Sequence, residues 1–312
     1  MTQKQRQLLG LFGTILFILG LLGYTALYLE AQKIEANRIT LPYIALVAIP
    51  VRSGQVPEPR LSATAGIAID YDSGSVLYEK NATTYYSPAS TTKLMTALIV
   101  RDHFAPEDTL TIGVLPSVSG NVLGLRYGET YHVADLLSAM LITSANDVAL
   151  EFAAAYPGGN LAFIEKMNEK ARALGLQDTI FSNPAGFDFG NHHTTANDLA
   201  KIARTAWEDP LIRAAMSTRT ASITDTTGRR RHELSSTNQL LHQDESVLGG
   251  KTGTTEKAGE VLITLQSRND HTTLIAILGS SDRYGDTITI TNWLYENYTW
   301  QEPSPPHVPK EE

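Results

Sequence analysis

Apolar and polar positions divide the chain into stretches of different character. Residues 8–29, LLGLFGTILFILGLLGYTALYL, are 22 consecutive positions without a charge. As a helix rising about 1.5 Å per residue they span about 33 Å, enough for a hydrocarbon core of about 30 Å. The run exceeds the usual apolar stretch of a cleaved leader, and no Ala-x-Ala site follows it, so an uncleaved signal anchor is expected. Residues 30–61 read as a connector interrupted by Pro42, Pro50, Pro57 and Pro59. From Ala63 the pattern sharpens. ATAGIAIDY and SVLYEKN flank Asp72-Ser73-Gly74, a hairpin signature. Helical spacing predicts helices over about Ala89–Phe104, 133–142, 147–155, 160–173 and 195–207, and a last one over about Asp286–Tyr298. Two strands are predicted near the end, at 259–267 and 272–280, joined by Ser267-Arg268-Asn269-Asp270. Strands at both ends with helices between them imply an α+β fold, a sheet closed by both ends of the domain with a helical lobe inserted.

Composition narrows the function classes. The chain has 312 residues, no cysteine and a net charge of −8. The acidic balance excludes broad nucleic-acid binding, which needs a basic face. The lack of cysteine excludes thiolate nucleophiles and Cys-ligated metal centres, so a nucleophile here is an oxygen. The tail QEPSPPHVPKEE, residues 301–312, is expected to be disordered. The organisation expected is a short N-terminal end at 1–7, an anchor at 8–29, a connector at 30–61, one domain at 62–298 and a tail at 299–312.

Three short motifs carry candidate chemistry. In Ser90-Thr91-Thr92-Lys93, positions i and i+3 of a helix share a face, so hydroxyl and amine can meet. A lysine whose pKa is lowered by burial or a nearby cation can take a serine proton, and a helix N-terminus favours an oxyanion. Alone this spacing means little, since a chain of this length contains about one Ser-x-x-Lys by chance. Ser144-Ala145-Asn146 supplies a hydroxyl and an amide between two helical stretches. Lys251-Thr252-Gly253 places a cation, a hydroxyl and a glycine on a strand, a set suited to a carboxylate with a peptide laid close against the strand. A phosphate-binding loop is excluded there: position 245 is Glu where that motif needs glycine, and a strand follows rather than a helix. His192, His193, Asp188 and Asp198 read as structural or surface residues rather than a metal site, and Tyr85 and Tyr86 as packing aromatics. No metal or cofactor is expected.

Together the three motifs match the order found in penicillin-interacting serine enzymes. SPASTTKLMTAL, LLSAMLITSANDVAL and KTGTTEKAG, with MNEKARALGLQDTIFSNPAGFDFGNHHTTANDLAKIAR and STNQLL, resemble the serine-type D-Ala-D-Ala carboxypeptidases, the low-molecular-mass penicillin-binding proteins, over about residues 62–295. The resemblance implies a three-layer α/β/α, β-lactamase/transpeptidase-like fold with a central antiparallel sheet. It also implies a reaction on peptidoglycan stem peptides ending in D-Ala-D-Ala, inhibited by β-lactams. In that reading Ser90 is the nucleophile, Lys93 the general base and Ser144 the proton relay to the departing amine. Asn146 orients the substrate amide, Lys251 supplies positive potential, and Thr252 contacts the terminal carboxylate. Gly253 lies beside the substrate backbone, and the N–H groups of Ser90 and Thr254 form the oxyanion hole. Arg283 is the nearest arginine for the carboxylate. Class A β-lactamases share the motif order but use a glutamate on the intervening loop. Here no glutamate lies between Lys170 and Trp207, and the middle triplet is Ser-Ala-Asn, so efficient β-lactam hydrolysis is disfavoured. The small C-terminal β domain of many members has no room in the roughly 14 residues after the last helix. Attachment to the lipid bilayer is expected through residues 8–29, with the catalytic domain outside the cytoplasmic membrane.

Overall fold

The computed structural model describes residues 47–113 and 118–302, together with positions 3–5, 13, 19–25, 27–30 and 33. Residues 1–46 and 47–312 form separate units. In the first, positions 19–25 and 27–30 are helical. Among the described residues no helix is long and apolar enough to cross a membrane, and much of the 8–29 segment lies outside them.

In the second unit, β1 (Ile49–Arg52), β2 (Ala65–Asp70) and β3 (Val76–Lys80) precede a 3-10 turn, Ala89–Thr92, that runs into α1 (Lys93–His103). A small pair, β4 (Thr109–Thr111) and β5 (Thr130–His132), leads into the helical lobe of α2 (Val133–Ile142), α3 (Asn146–Ala155) and α4 (Gly159–Ala173). Next come α5 (Ala196–Glu208), α6 (Pro210–Ser217), the hairpin β6 (Thr220–Thr224) and β7 (Arg231–Ser235), and α7 (Gln239–Gln243). The chain closes with β8 (Val247–Thr255), β9 (Gly259–Arg268), β10 (His271–Ser280), α8 (Arg283–Asn297) and β11 (Tyr298–Gln301).

The main sheet is antiparallel with the strand order β3-β2-β10-β9-β8. Its central strands are apolar on both faces because both are covered. Leu274, Ala276 and Leu278 of β10 join the large core under α1 and the helical lobe, whereas Ile275 and Ile277 pack with Ile290, Trp293 and Leu294 of α8. The continuous apolar run in the strand and the 3/4 spacing in α8 are the marks of these elements in the sequence. Helix, sheet and helix form the three layers expected. The two halves of the sheet come from opposite ends of the domain, since Ala65–Asp70 pairs with Thr273–Leu278.

Two boundaries differ from expectation. Ile49–Arg52 lies in the presumed connector but pairs with Tyr298–Gln301, which includes the start of the presumed tail. Trp300 secures the pairing by donating from Nε1 to Asp70 Oδ2 at 2.8 Å and stacking on His271. Residues 303–312 lie outside the described residues.

Candidate active site

Helix α1 is buried from Lys93 to Val100, and the turn before it carries Ser90. Ala89 holds a left-handed backbone, φ 47°, that a side chain rarely adopts. Two glycines allow close packing around it. A side chain at Gly186 would overlap the Ala89 carbonyl, and a Cβ on Gly253 would sit 2.9 Å from the Ala89 Cβ and 3.0 Å from the Ser90 nitrogen. The strand of the third motif therefore lies directly against the serine turn.

Lys93 is fully buried, and its Nζ has three neighbours: Ser90 Oγ at 3.0 Å, Asn146 Oδ1 at 2.7 Å and the Ala185 carbonyl at 2.7 Å. Asn146 donates from Nδ2 to the Ser119 carbonyl at 2.8 Å, which orients Oδ1 as the acceptor facing Lys93. A neutral amine has two N–H bonds and one lone pair. In the neutral form the two acceptor-only neighbours take both N–H bonds, which leaves the lone pair for the Ser90 hydroxyl. Burial, and then the charge of Lys251, hold Lys93 well below the usual lysine range, with Asp147 opposing.

Ser144 lies between α2 and α3 with φ 63°, again left-handed, and is almost fully buried. Lys251 Nζ donates to Ser144 Oγ at 2.8 Å and to the Thr252 carbonyl at 3.0 Å. Burial, followed by the Arg283 charge, lowers Lys251 to about 7. Thr252 Oγ1 meets Thr237 Oγ1 at 2.5 Å. Arg283 opens α8 and donates from Nη1 to the Gly253 carbonyl and to Thr254 Oγ1, both at 2.8 Å. Thr254 Oγ1 in turn donates to the Gly253 carbonyl at 2.8 Å. These groups surround a cavity of about 250 Å³ lined by Ser90, Ser144, Asn146, Thr252, Gly253 and Thr254, with Gly120, Asn121, Thr237 and Arg283 completing the wall. A wider cleft of about 620 Å³ beside α4, between Glu165 and Ile180, contains none of the motif residues.

Every residue singled out in the three motifs is at or directly beneath this cavity. Reasoning from sequence missed its supports. The Ala185 carbonyl comes from 92 residues away and carries no side-chain signal. Asp147, next to Asn146, accepts from the backbone N–H groups of Leu123, Gly124 and Leu125 at 2.9, 2.8 and 3.1 Å and shapes the loop that brings Gly120 and Asn121 to the cavity. An aspartate in the first turn of a helix was the available clue, but its partners lie outside the helix.

The other candidates are held in structural contacts. Ser182 donates its backbone N–H to His192 Nδ1 at 2.9 Å, so the ring proton is on Nε2, which donates to Thr92 Oγ1 at 2.8 Å. Burial lowers His192 to about 4. Asp188 accepts from Ser87, Thr255 and the Lys257 backbone, fastening its loop to the β8–β9 turn. Asp198 accepts from Thr179 and the Asp178 backbone. Tyr85 is exposed, stacks on His193 and donates to Asp178, and Tyr86 packs against the core.

The arrangement supplies a buried amine of lowered pKa in contact with one hydroxyl, a second hydroxyl held by another buried amine, and a polar strand able to bind an extended peptide with a terminal carboxylate. A family model described as D-alanyl-D-alanine carboxypeptidase matches residues 52–282. The chain is 28% identical over 249 residues to the D-alanyl-D-alanine carboxypeptidase DacF of Bacillus subtilis, covering 78% of this chain and 64% of that protein. It therefore spans less than two thirds of that relative's length. It is 29% identical over 252 residues to a D-alanyl-D-alanine endopeptidase of Pseudomonas aeruginosa, covering 78% of this chain and 81% of that one. The crystal structure of a D-alanyl-D-alanine carboxypeptidase from Mycobacterium tuberculosis superposes with a TM-score of 0.73 at 28% identity, covering 80% of this chain and 98% of that one. With the three motifs converging on one cavity and the family match extending over most of the chain, this protein belongs to the D-alanyl-D-alanine carboxypeptidase family of serine peptidases.

Proposed function

We propose that the chain is a membrane-attached serine D,D-carboxypeptidase that removes the terminal D-Ala from peptidoglycan stem pentapeptides. The observation that carries this reading is the contact of the fully buried Lys93 Nζ with Ser90 Oγ at 3.0 Å. As Ser90 Oγ bonds to the carbonyl carbon of the penultimate D-Ala, Lys93 takes the hydroxyl proton and the carbonyl oxygen becomes an oxyanion. The backbone N–H groups of Ser90 and Thr254 receive that charge. Collapse breaks the C–N bond, and the proton held by Lys93 passes through Ser144 to the departing amine, which returns Lys93 to its neutral form. Water then cleaves the ester and regenerates Ser90.

Asn146 has a second task, orienting the substrate amide. Lys251, Thr252 and Arg283 favour the terminal carboxylate. An anion there stabilises the charged form of Lys251, whose field in turn keeps Lys93 neutral. A β-lactam presents the same carbonyl and carboxylate, so it acylates Ser90. The loop holding Ala185 has no glutamate to activate a deacylating water, which favours a persistent adduct over a β-lactamase reaction. Attachment is assigned to residues 8–29, with residues 1–7 cytoplasmic and the catalytic domain, 62–298 with its flanking strands, extracytoplasmic.

Incubating the protein with a fluorescent penicillin and with a pentapeptide ending in D-Ala-D-Ala tests the chemistry. Stable label and free D-Ala are expected, both abolished in Ser90→Ala. Label without D-Ala release overturns the carboxypeptidase reading; cleavage of cross-linked dimers would then match the relatives named endopeptidases. Protease added to intact spheroplasts is expected to remove the catalytic domain. Full protection overturns the orientation.

A further inference from the structure

A concentration of arginine stands out on a chain whose net charge is −8. Arg229, Arg230 and Arg231 are consecutive at the end of the β6–β7 turn, and they face Arg126 and Tyr127 across a cleft of about 550 Å³. The cleft also contains Glu129 and Asp225, and both carboxylates are already engaged. Glu129 pairs with Arg230 Nε at 3.1 Å and accepts from Tyr131 at 3.0 Å. Asp225 accepts from the Arg230 backbone at 2.6 Å and from the Thr227 hydroxyl. Arg230 is therefore part of the wall, and its Nη2 donates to the Gly124 carbonyl at 3.2 Å. Arg126 and Arg229 are exposed and form no ion pair among the described residues, and Arg231 meets only the exposed Glu233. Tyr127 beside them is 79% exposed. Exposed guanidinium groups, two of them without an ion pair among the described residues, next to an open aromatic ring are a combination enriched where proteins bind partners, and the guanidinium fork matches a carboxylate.

The cleft shares a wall with the cavity around Ser90. One loop supplies Gly120 and Asn121 to the cavity and Arg126 to the cleft. Arg126 follows Asn121 by five positions, so their Cα atoms are no more than about 18 Å apart along that wall. An extended peptide of a few residues covers this distance. Asp147 and Arg230 hold the loop between them through Leu123, Gly124 and Leu125.

We propose that the arginine cleft is a second anchoring subsite for the cell-wall substrate, where Arg126, Arg229 and Arg231 hold a carboxylate on the acyl-donor chain away from the scissile bond. The proposal rests on the carboxypeptidase reading and deepens it. It makes the enzyme selective for wall-bound, carboxylate-rich stem peptides over short D-Ala-D-Ala peptides. The recognition is electrostatic and at the surface, so salt screens it over about 10 Å at 0.1 M.

The test uses the full chain and the triple variant Arg126→Gln/Arg229→Gln/Arg231→Gln. Arg230 is left in place because it braces the loop. D-Ala release is measured on three substrates: a short acylated D-Ala-D-Ala peptide with no other carboxylate, a glycan-linked stem pentapeptide, and the same polymer with its side-chain carboxylates amidated. The variant is expected to raise KM about tenfold for the glycan-linked substrate, to leave the short peptide within twofold, and to show no difference from the parent on the amidated polymer. An equal change on short and long substrates, or none on the long one, overturns the subsite. A difference that persists on the amidated polymer overturns the carboxylate assignment in favour of a phosphate elsewhere on the wall polymer. Penicillin acylation at the parental rate in the variant establishes that the Ser90 site is intact. Failure of acylation in the parent protein would be a failure of the carboxypeptidase reading instead.

Discussion

Replacing Asn146 with aspartate tests the base assignment more sharply than removing Lys93. The substitution preserves shape but puts a carboxylate oxygen where Oδ1 now lies, 2.7 Å from Lys93 Nζ. At an effective dielectric of about 20, unit charges that close attract by about 6 kcal/mol, equivalent to about 4 pK units. Part of this is offset because the new carboxylate is itself desolvated, leaving an expected rise of about 2–3 units in Lys93. The sign follows from the role. Lys93 acts as a base only when neutral, and its pKa is now held low by burial and Lys251. Below the raised value each pH unit lowers the neutral fraction tenfold, so acylation by a fluorescent penicillin is expected to fall at pH 7 relative to the parent. Activity should then return by about tenfold per pH unit as the medium becomes alkaline. Asn146→Ala, which removes the acceptor without adding charge, should lose activity with no such alkaline recovery. Second-order acylation rates measured from pH 6 to 10 distinguish the two. A profile for Asn146→Asp that is lowered uniformly, or unchanged, refutes the assignment of Lys93 as a neutral base.

Two further outcomes follow from buried titratable groups. Lys251→Met removes a fully buried amine lowered to about 7, so the variant should gain about 1–3 kcal/mol of stability at pH 7 while losing acylation; a lower melting temperature would count against the burial penalty. His192, lowered to about 4 by burial, takes up its proton more readily when unfolded, so it withdraws stability as pH falls from 6.5 towards 4, by about 3 kcal/mol at the limit. His192→Gln should flatten that part of the stability-versus-pH curve, and an unaltered slope in denaturant titrations would show that other groups set it.

Much of the architecture was legible in the chain. The helices over 133–142 and 160–173 and the strands over 259–267 and 272–280 came within a residue or two of their observed limits. Their apolar periods are strong because each buries a face against a large core. Less visible elements were polar. The β6–β7 hairpin is rich in threonine and arginine, and only Ile223 and Leu234 are buried. The helix Pro210–Ser217 follows so closely on α5 that its own cap, Asp209 donated to by Leu211 and Ile212, and Pro210 at its first position were its separate signs. The pairing of Ile49–Arg52 with Tyr298–Gln301 joins segments that both looked like linkers. Neither segment has a periodic pattern that would mark a strand by itself.

The sequence by itself determined the residue types available to the proposed chemistry: an oxygen nucleophile, a lysine one helical turn away, a Ser-x-Asn triplet and a cation on a strand. Local spacing was enough to bring Ser90 and Lys93 together, because positions i and i+3 share a face in the 3-10 turn that carries Ser90 as in an α-helix. Only the tertiary structure decided that Lys93 meets Asn146 and the Ala185 carbonyl, that Lys251 holds Ser144, and that Arg283 reaches the Gly253 carbonyl. Those contacts join residues 30 to 107 positions apart. Their partners include backbone carbonyls, which every residue possesses and no sequence pattern marks. The low pKa of Lys93 has the same origin, since it depends on the exclusion of water and on a second cation supplied by a distant strand.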